Sequence, residues 1–181
     1  ERVKNNSKTS VTVDRFTEGD GSENDPYIIR TAMDMKAVSD LVLSLRNLDG
    51  KYFLVADGIE EIDLTDPNVN YKPIGFDSCY FQGFFDGNGV RFILNLSSTT
   101  YYQGVFGFVG NNAIIKNISV DGNVTARRFA GGIAGRNRGI IENCYNAATI
   151  VATEYYAGGI VGYNENIIRY SYNTGEVKTI S

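Results

Sequence analysis

At 181 residues with a formal net charge of −4, the chain is long enough for one substantial core and gives no electrostatic reason to bind nucleic acid. Its 20 glycines and 12 tyrosines stand against three prolines, no tryptophan and no histidine. That composition favours turn-rich β structure, and the missing histidine removes serine–histidine and cysteine–histidine nucleophiles and the HExxH zinc site.

No apolar run approaches the roughly 20 residues of a membrane-spanning helix, so no direct membrane insertion is expected. The chain opens at Glu1 without a signal sequence, as a mature or trimmed form would. Cys79 and Cys144 form no CxxC or zinc spacing, and a disulfide between them stays open.

Residues 1–14 are polar and contain the alternation Val11-Thr12-Val13, a frayed terminus or a short edge strand. From Thr17 to Pro26 the oxygens of Asp20, Ser22, Glu23, Asn24 and Asp25 crowd together. The EF-hand order and its distal glutamate are absent, so an Asx-rich turn before a short Tyr27-Ile28-Ile29 strand is expected, and no metal or cofactor is assigned. Thr31 to Asn47 reads as an amphipathic helix. Thr31 and Asp34 resemble a capping box, Leu41, Val42, Leu45 and Leu48 recur at helical spacing, and Asp49-Gly50 ends it. Its expected job is to cover the apolar end of the first coil.

Tyr52 begins a strand that leads into Asp57, Glu60, Glu61 and Asp63. Paired carboxylates can cleave or eliminate at a sugar, so a carbohydrate-active enzyme, a polysaccharide lyase or glycoside hydrolase, is the alternative such a cluster keeps open. It would need a groove with Arg91 or Lys72 within reach. Phe81, Phe84 and Phe85 around Gly83, followed by Asp86-Gly87-Asn88-Gly89, predict strand, tight turn, strand. Val90 to Leu96 opens another coil, whose Asn95 anticipates Asn117.

Three units of about 26 residues then repeat, from Tyr102 to Thr125, Arg128 to Val151 and Tyr155 to Lys178. Ile115, Ile141 and Ile168 share one position, and Lys116, Glu142 and Arg169 the next. Period-2 alternation therefore sends the isoleucines inward and the charges to solvent. Gly107 aligns with Gly132 and Gly159, and Gly110 with Gly135 and Gly162, as positions of positive φ or of close approach between coils. Whether Ile118, Cys144 and Ser171 point inward depends on a bend at Asn117 and Asn143 that periodicity does not settle.

The units GGIAGRNRGIIENCYNAATI and GGIVGYNENIIRYSYNTGEV resemble the GLUG repeat of bacterial surface proteins, including immunoglobulin A metalloprotease-like and adhesin-like proteins. The stretches GDGSENDPYIIRTAMDM, YFLVADGIEEIDL, KPIG and FQGFFDGNG resemble the leader that precedes such repeats. The resemblance implies an all-β, right-handed parallel β-helix with an N-terminal capping helix, located extracellularly or on a bacterial cell surface, with no chemistry of its own. The expected organisation is a single β-helix domain over 1–181, with cap and first coils in 16–100 and three GLUG-like repeats in 101–181.

No catalytic residue is assigned. Tyr145 and Tyr172 align with Ser119, and Tyr102, Phe129 and Tyr156 precede successive glycine pairs. Stacked coils would gather them into one aromatic strip, a candidate binding face for a surface glycan or a host or bacterial surface protein. Arg127, Arg128, Arg136 and Arg138 form a local basic patch, read as solvated loop arginines.

Overall fold

The computed structural model describes residues 16–45 and 48–180. The Val11-Thr12-Val13 alternation and the helical expectation for Arg46 and Asn47 lie outside the described residues, as does the side chain of Leu45. The described chain is a parallel β-solenoid with one N-terminal helix.

That helix, Ala32–Leu45, starts at the capping box read from the sequence. Asp34 Oδ2 accepts the Thr31 backbone N–H at 2.9 Å, and Thr31 Oγ1 accepts the Asp34 N–H at 3.2 Å. These satisfy amides that the first helical turn leaves without partners. The buried face is Met35, Val38 and Val42, packed into the same core as Phe53 and Val55 of the first coil. Leu41, expected on that face, is only partly buried. Before the helix, Asp20 Oδ1 accepts the Ser22 N–H at 2.8 Å, an Asx turn that leads into the strand Tyr27–Ile29.

One face of the solenoid is a six-stranded parallel sheet of Tyr27–Ile29, Tyr52–Val55, Phe84–Asp86, Ile114–Lys116, Ile140–Glu142 and Ile167–Arg169. Its inward column runs Tyr27, Phe53, Phe85, Ile115, Ile141, Ile168. The adjacent outward column runs Asp86, Lys116, Glu142, Arg169 and alternates in sign. Lys116 lies 3.2 Å from Asp86, and Arg169 lies 2.5 Å from Glu142. Exposed pairs of this kind contribute about 0–1 kcal/mol each, so the column guides register more than it stabilises.

The chain then bends. Asn117, Asn143 and Tyr170 have φ of 58°, 51° and 52°, the left-handed region in which asparagine is tolerated and tyrosine is strained. The bend resolves the register: Ile118 and Cys144 are buried inward, and Ser171 Oγ accepts the Cys144 N–H at 3.0 Å. Asn143 donates to Asn117 Oδ1 at 2.6 Å and Asn117 to Asp86 Oδ1 at 2.8 Å, while Tyr170 points out, 81% exposed.

Beyond the bend the long strand Ser119–Ala126 pairs from Ser119 to Thr125 with Arg91–Ser97. On its other side it meets two shorter strands, Tyr145–Asn146 and Thr149–Ala152. Arg91 therefore sits beside Ser119 and Asn95 beside Asn123, so the sequence expectation that Asn95 anticipates Asn117 does not hold. Asn88, with φ of 51°, takes the bend position instead. The third face comprises Phe106–Val109, Ala134–Asn137 and Val161–Asn164, and the fourth Tyr102–Gln103, Phe129–Gly131 and Tyr156–Gly158.

The glycine columns differ from the sequence alignment. Phe106 pairs with Ala134 and Ala134 with Val161, which sets Gly107 beside Gly135 and Gly162 rather than beside Gly132 and Gly159. Gly110 leaves the strand and abuts Tyr80 and Gln82. The cause is unequal turns: residues 110–113 join two strands where 138–139 suffice in the next coil. None of these six glycines has positive φ. Close approach is the reason they are glycine, since a methyl group at Gly132 or Gly159 would collide with the amides of Asn146 and Asn173.

Asn146 and Asn137 are fully buried, and Asn173 and Asn164 sit beside them in the exposed last coil. Asn146 Nδ2 donates to Ala148 O at 3.0 Å and to Asn173 Oδ1 at 2.7 Å, and its Oδ1 accepts the Ala148 N–H. Asn137 does the same, donating to Gly139 O at 3.2 Å and to Asn164 Oδ1 at 2.8 Å. Each side chain closes a tight turn and joins it to the next coil, satisfying groups that would be costly to bury bare.

Candidate functional site

The aromatic residues fall into two columns on different sheets, not one strip. Tyr145 and Tyr172 pair on the long-strand face with ring centroids 4.6 Å apart, and the Tyr145 hydroxyl lies 2.7 Å from Thr174 Oγ1. Tyr102, Phe129 and Tyr156 pair on the fourth face, with centroids 5.0 and 5.6 Å apart and planes within about 10°. The outermost members are the most open, Tyr172 at 62% and Tyr156 at 48% exposure.

The arginines sort around the second column. Arg128 lies between Tyr101 and Tyr155, its guanidinium 4.6 and 4.9 Å from the ring centroids. Arg136 lies between Phe108 and Tyr163 at 4.8 and 5.6 Å. Arg127 pairs with Glu154, while Arg136 and Arg138 reach Glu165 at 2.5 and 3.1 Å. Those hydrogen bonds, Arg136 first, hold the Glu165 carboxyl below its usual range. The basic patch is thus four ring-stacked cations that share two carboxylates, Glu154 and Glu165, rather than free loop charges.

The acidic cluster is dispersed into structural roles. Glu61 pairs with Arg91 at 2.5 Å, Asp57 accepts from Asn88 at 2.9 Å, and Asp63 accepts the Thr65 N–H at 2.8 Å. Asp86 is held low because the hydrogen bonds from Asn117, Asn88 and Lys116 together outweigh a burial effect that raises it. Among the described residues no group of three or more carboxylate, thiol or imidazole side chains is placed to hold a metal ion. Cys79 and Cys144 are both free and buried, and burial pushes the Cys144 thiol up to about 12.

Sequence reading missed a cleft of about 680 Å³ between residues 70–77 and 95–103. Tyr71, buried beneath it, donates its hydroxyl to Val105 O at 2.7 Å, and Ile74 N–H donates to the same carbonyl at 3.1 Å. The Phe76–Cys79 turn closes with backbone bonds of 3.1 and 2.9 Å. The wall is therefore pinned to the solenoid. Lys72-Pro73-Ile74-Gly75, Asn95 and Tyr102 were each marked in the sequence, but nothing in their spacing joins them.

The family model described as the GLUG motif matches residues 153–180, the last coil. A protein of Evansella cellulosilytica, provisionally named a Gly-rich membrane protein, is 32% identical over 139 residues, covering 71% of this chain. This chain spans 15% of that relative's length. A crystallised chain from Bacteroides ovatus, provisionally named an immunoglobulin A1 protease, superposes with a TM-score of 0.66 at 22% identity. The match covers 91% of this chain and 61% of the other, and at that identity the likeness is one of fold. Among the described residues no helix is long and apolar enough to cross a membrane.

Proposed function

Because the chain is a parallel β-solenoid whose last coil matches the GLUG motif, we propose that it serves as a non-catalytic module at a bacterial cell surface, for adhesion, spacing or ligand presentation. The observation that carries this reading is the pair of aligned aromatic columns on outer faces, open at Tyr172 and Tyr156, built on a frame whose charged groups serve register and turn closure. Rigid stacked coils hold such columns at fixed spacing, which limits the entropy lost on contact. The name of the Evansella relative supports a membrane-associated setting. The partner is a surface glycan or a host or bacterial surface protein.

The test is adhesion of the purified chain to bacterial and host-cell surfaces, compared with Tyr145→Ala/Tyr172→Ala and Phe129→Ala/Tyr156→Ala variants whose fold is checked by circular dichroism. Weakened adhesion by one double variant supports the reading and selects the face. Equal adhesion by all three proteins removes the aromatic columns as the contact, and turnover of a polysaccharide by the wild type overturns the non-catalytic assignment.

A further inference from the structure

A sugar ring binds an aromatic side chain through its face, where the C–H groups of the pyranose meet the π cloud. In the Tyr102–Phe129–Tyr156 column the rings stack on one another, so the faces between them are closed, and Tyr163 packs 5.4 Å from Tyr156. Arginines cover further aromatic surface at Tyr101, Phe108, Tyr155 and Tyr163.

The cleft beside the column offers what the column lacks. Phe76 is 43% exposed on the pinned Phe76–Cys79 turn and, among the described residues, has neither a ring nor a cation against it. Asn70 and Asn95 line the same cleft with amides that bond to no described residue, whereas the amides of Asn117, Asn137, Asn143 and Asn146 are committed to coil contacts. Lys72 is exposed there without a carboxylate partner among the described residues. Asp77 receives the Tyr102 hydroxyl on Oδ1 at 2.7 Å, which fixes the carboxylate and leaves Oδ2 as an acceptor at the rim.

We propose that this cleft is a binding site for a pyranose glycan carrying a carboxylate, with Phe76 stacking on the sugar, Asn70 and Asn95 bonding its hydroxyls, and Lys72 pairing with its acid. The volume is within the about 300–1,000 Å³ of small-ligand sites. The lining offers one open ring, a few polar groups and, in Lys72, a cation with no ion pair among the described residues, with Asp77 held apart by its bond from Tyr102, on backbone that needs little reordering. The proposal rests on the adhesion reading and specifies where that module meets sugar.

Calorimetric titration of the full chain with 3′-sialyllactose and oligogalacturonate, with lactose and methyl-esterified oligogalacturonate as neutral counterparts, tests it. We expect an acidic sugar to bind about tenfold more tightly than its neutral counterpart, Phe76→Ala and Asn95→Ala each to weaken binding about tenfold, and Lys72→Gln to abolish the acidic preference. Tyr145→Ala/Tyr172→Ala should bind like the wild type. No binding of either acidic sugar, or binding that all three cleft variants retain, overturns the cleft. If the wild type and the cleft variants adhere equally to cell surfaces, the cleft assignment falls and the adhesion reading stands; if the wild type adheres to none, the adhesion reading falls.

Discussion

From Phe53 to Phe106 the core is held by rings that touch across sheets, with Phe81 5.2 Å and Phe85 5.4 Å from Phe106 between centroids, and Phe92 6.4 Å from Phe85. From Val109 onward the inner columns are aliphatic side chains and buried asparagines, each lying beside its counterpart in the neighbouring coil. The first arrangement fills a volume once, under a helix, with shapes that fit nowhere else. The second fills a cross-section and can be repeated. The contrast teaches that the coils packed against the helix are held by shapes specific to that place, whereas the later coils are held by columns that repeat.

The sharpest way to break this contrast is at the rings. Phe85→Ala should cost about 3–5 kcal/mol, since Phe85 is fully buried and packs against Phe53, Phe92 and Phe106. Ile141→Ala, between Ile115 and Ile168, should cost about 2–5 kcal/mol in urea denaturation. A loss below about 0.5 kcal/mol would remove Ile141 from the core column.

Asn146→Val copies Val120, its neighbour in the preceding coil, yet it strands the buried Ala148 N–H and carbonyl and removes the bond to Asn173 Oδ1. A loss of about 1–3 kcal/mol is expected, and a neutral outcome would show that shape rather than the amide ladder holds the repeat. Tyr170→Asn should move the other way, by about 1 kcal/mol, because asparagine accepts the left-handed φ and extends the Asn117–Asn143 ladder.

The smallest effect lies at Glu165. Its folded carboxyl sits below the unfolded value, so its contribution is full above the unfolded pKa and is lost as pH falls through the folded one. Glu165→Gln should therefore be less stable than the wild type by about 0.2–1 kcal/mol near neutral pH and converge with it in acid, as followed by thermal melts across pH. Parallel curves at every pH would show that the Arg136 and Arg138 pairs contribute nothing.

The isoleucine and charge columns were legible because alternation along a strand and repetition between coils agree at Ile115, Ile141 and Ile168. The helix was legible because Thr31 and Asp34 carry their own chemistry three residues apart. The glycine register was not, because one spacing was imposed on coils whose turns differ in length. Merging the aromatic columns had a related cause: the residues recur at one period, but the bends carry them to different faces. The cleft was beyond reach, since Asn70 and Phe76 lie in a segment without a period, and the bonds that bring it against the coil of Asn95, such as Tyr71 to Val105, leave no spacing in the sequence.

The buried amides also give the stack a vectorial chemistry. In both inner ladders the earlier asparagine donates and the later one accepts, Asn137 to Asn164 and Asn146 to Asn173. At the last described coil Asn164 and Asn173 each give one amide proton to their own turns, at 2.6 and 2.8 Å, and the second proton of each has no acceptor among the described residues. Each ladder is therefore polar along the solenoid, with every described step running from an earlier donor to a later acceptor.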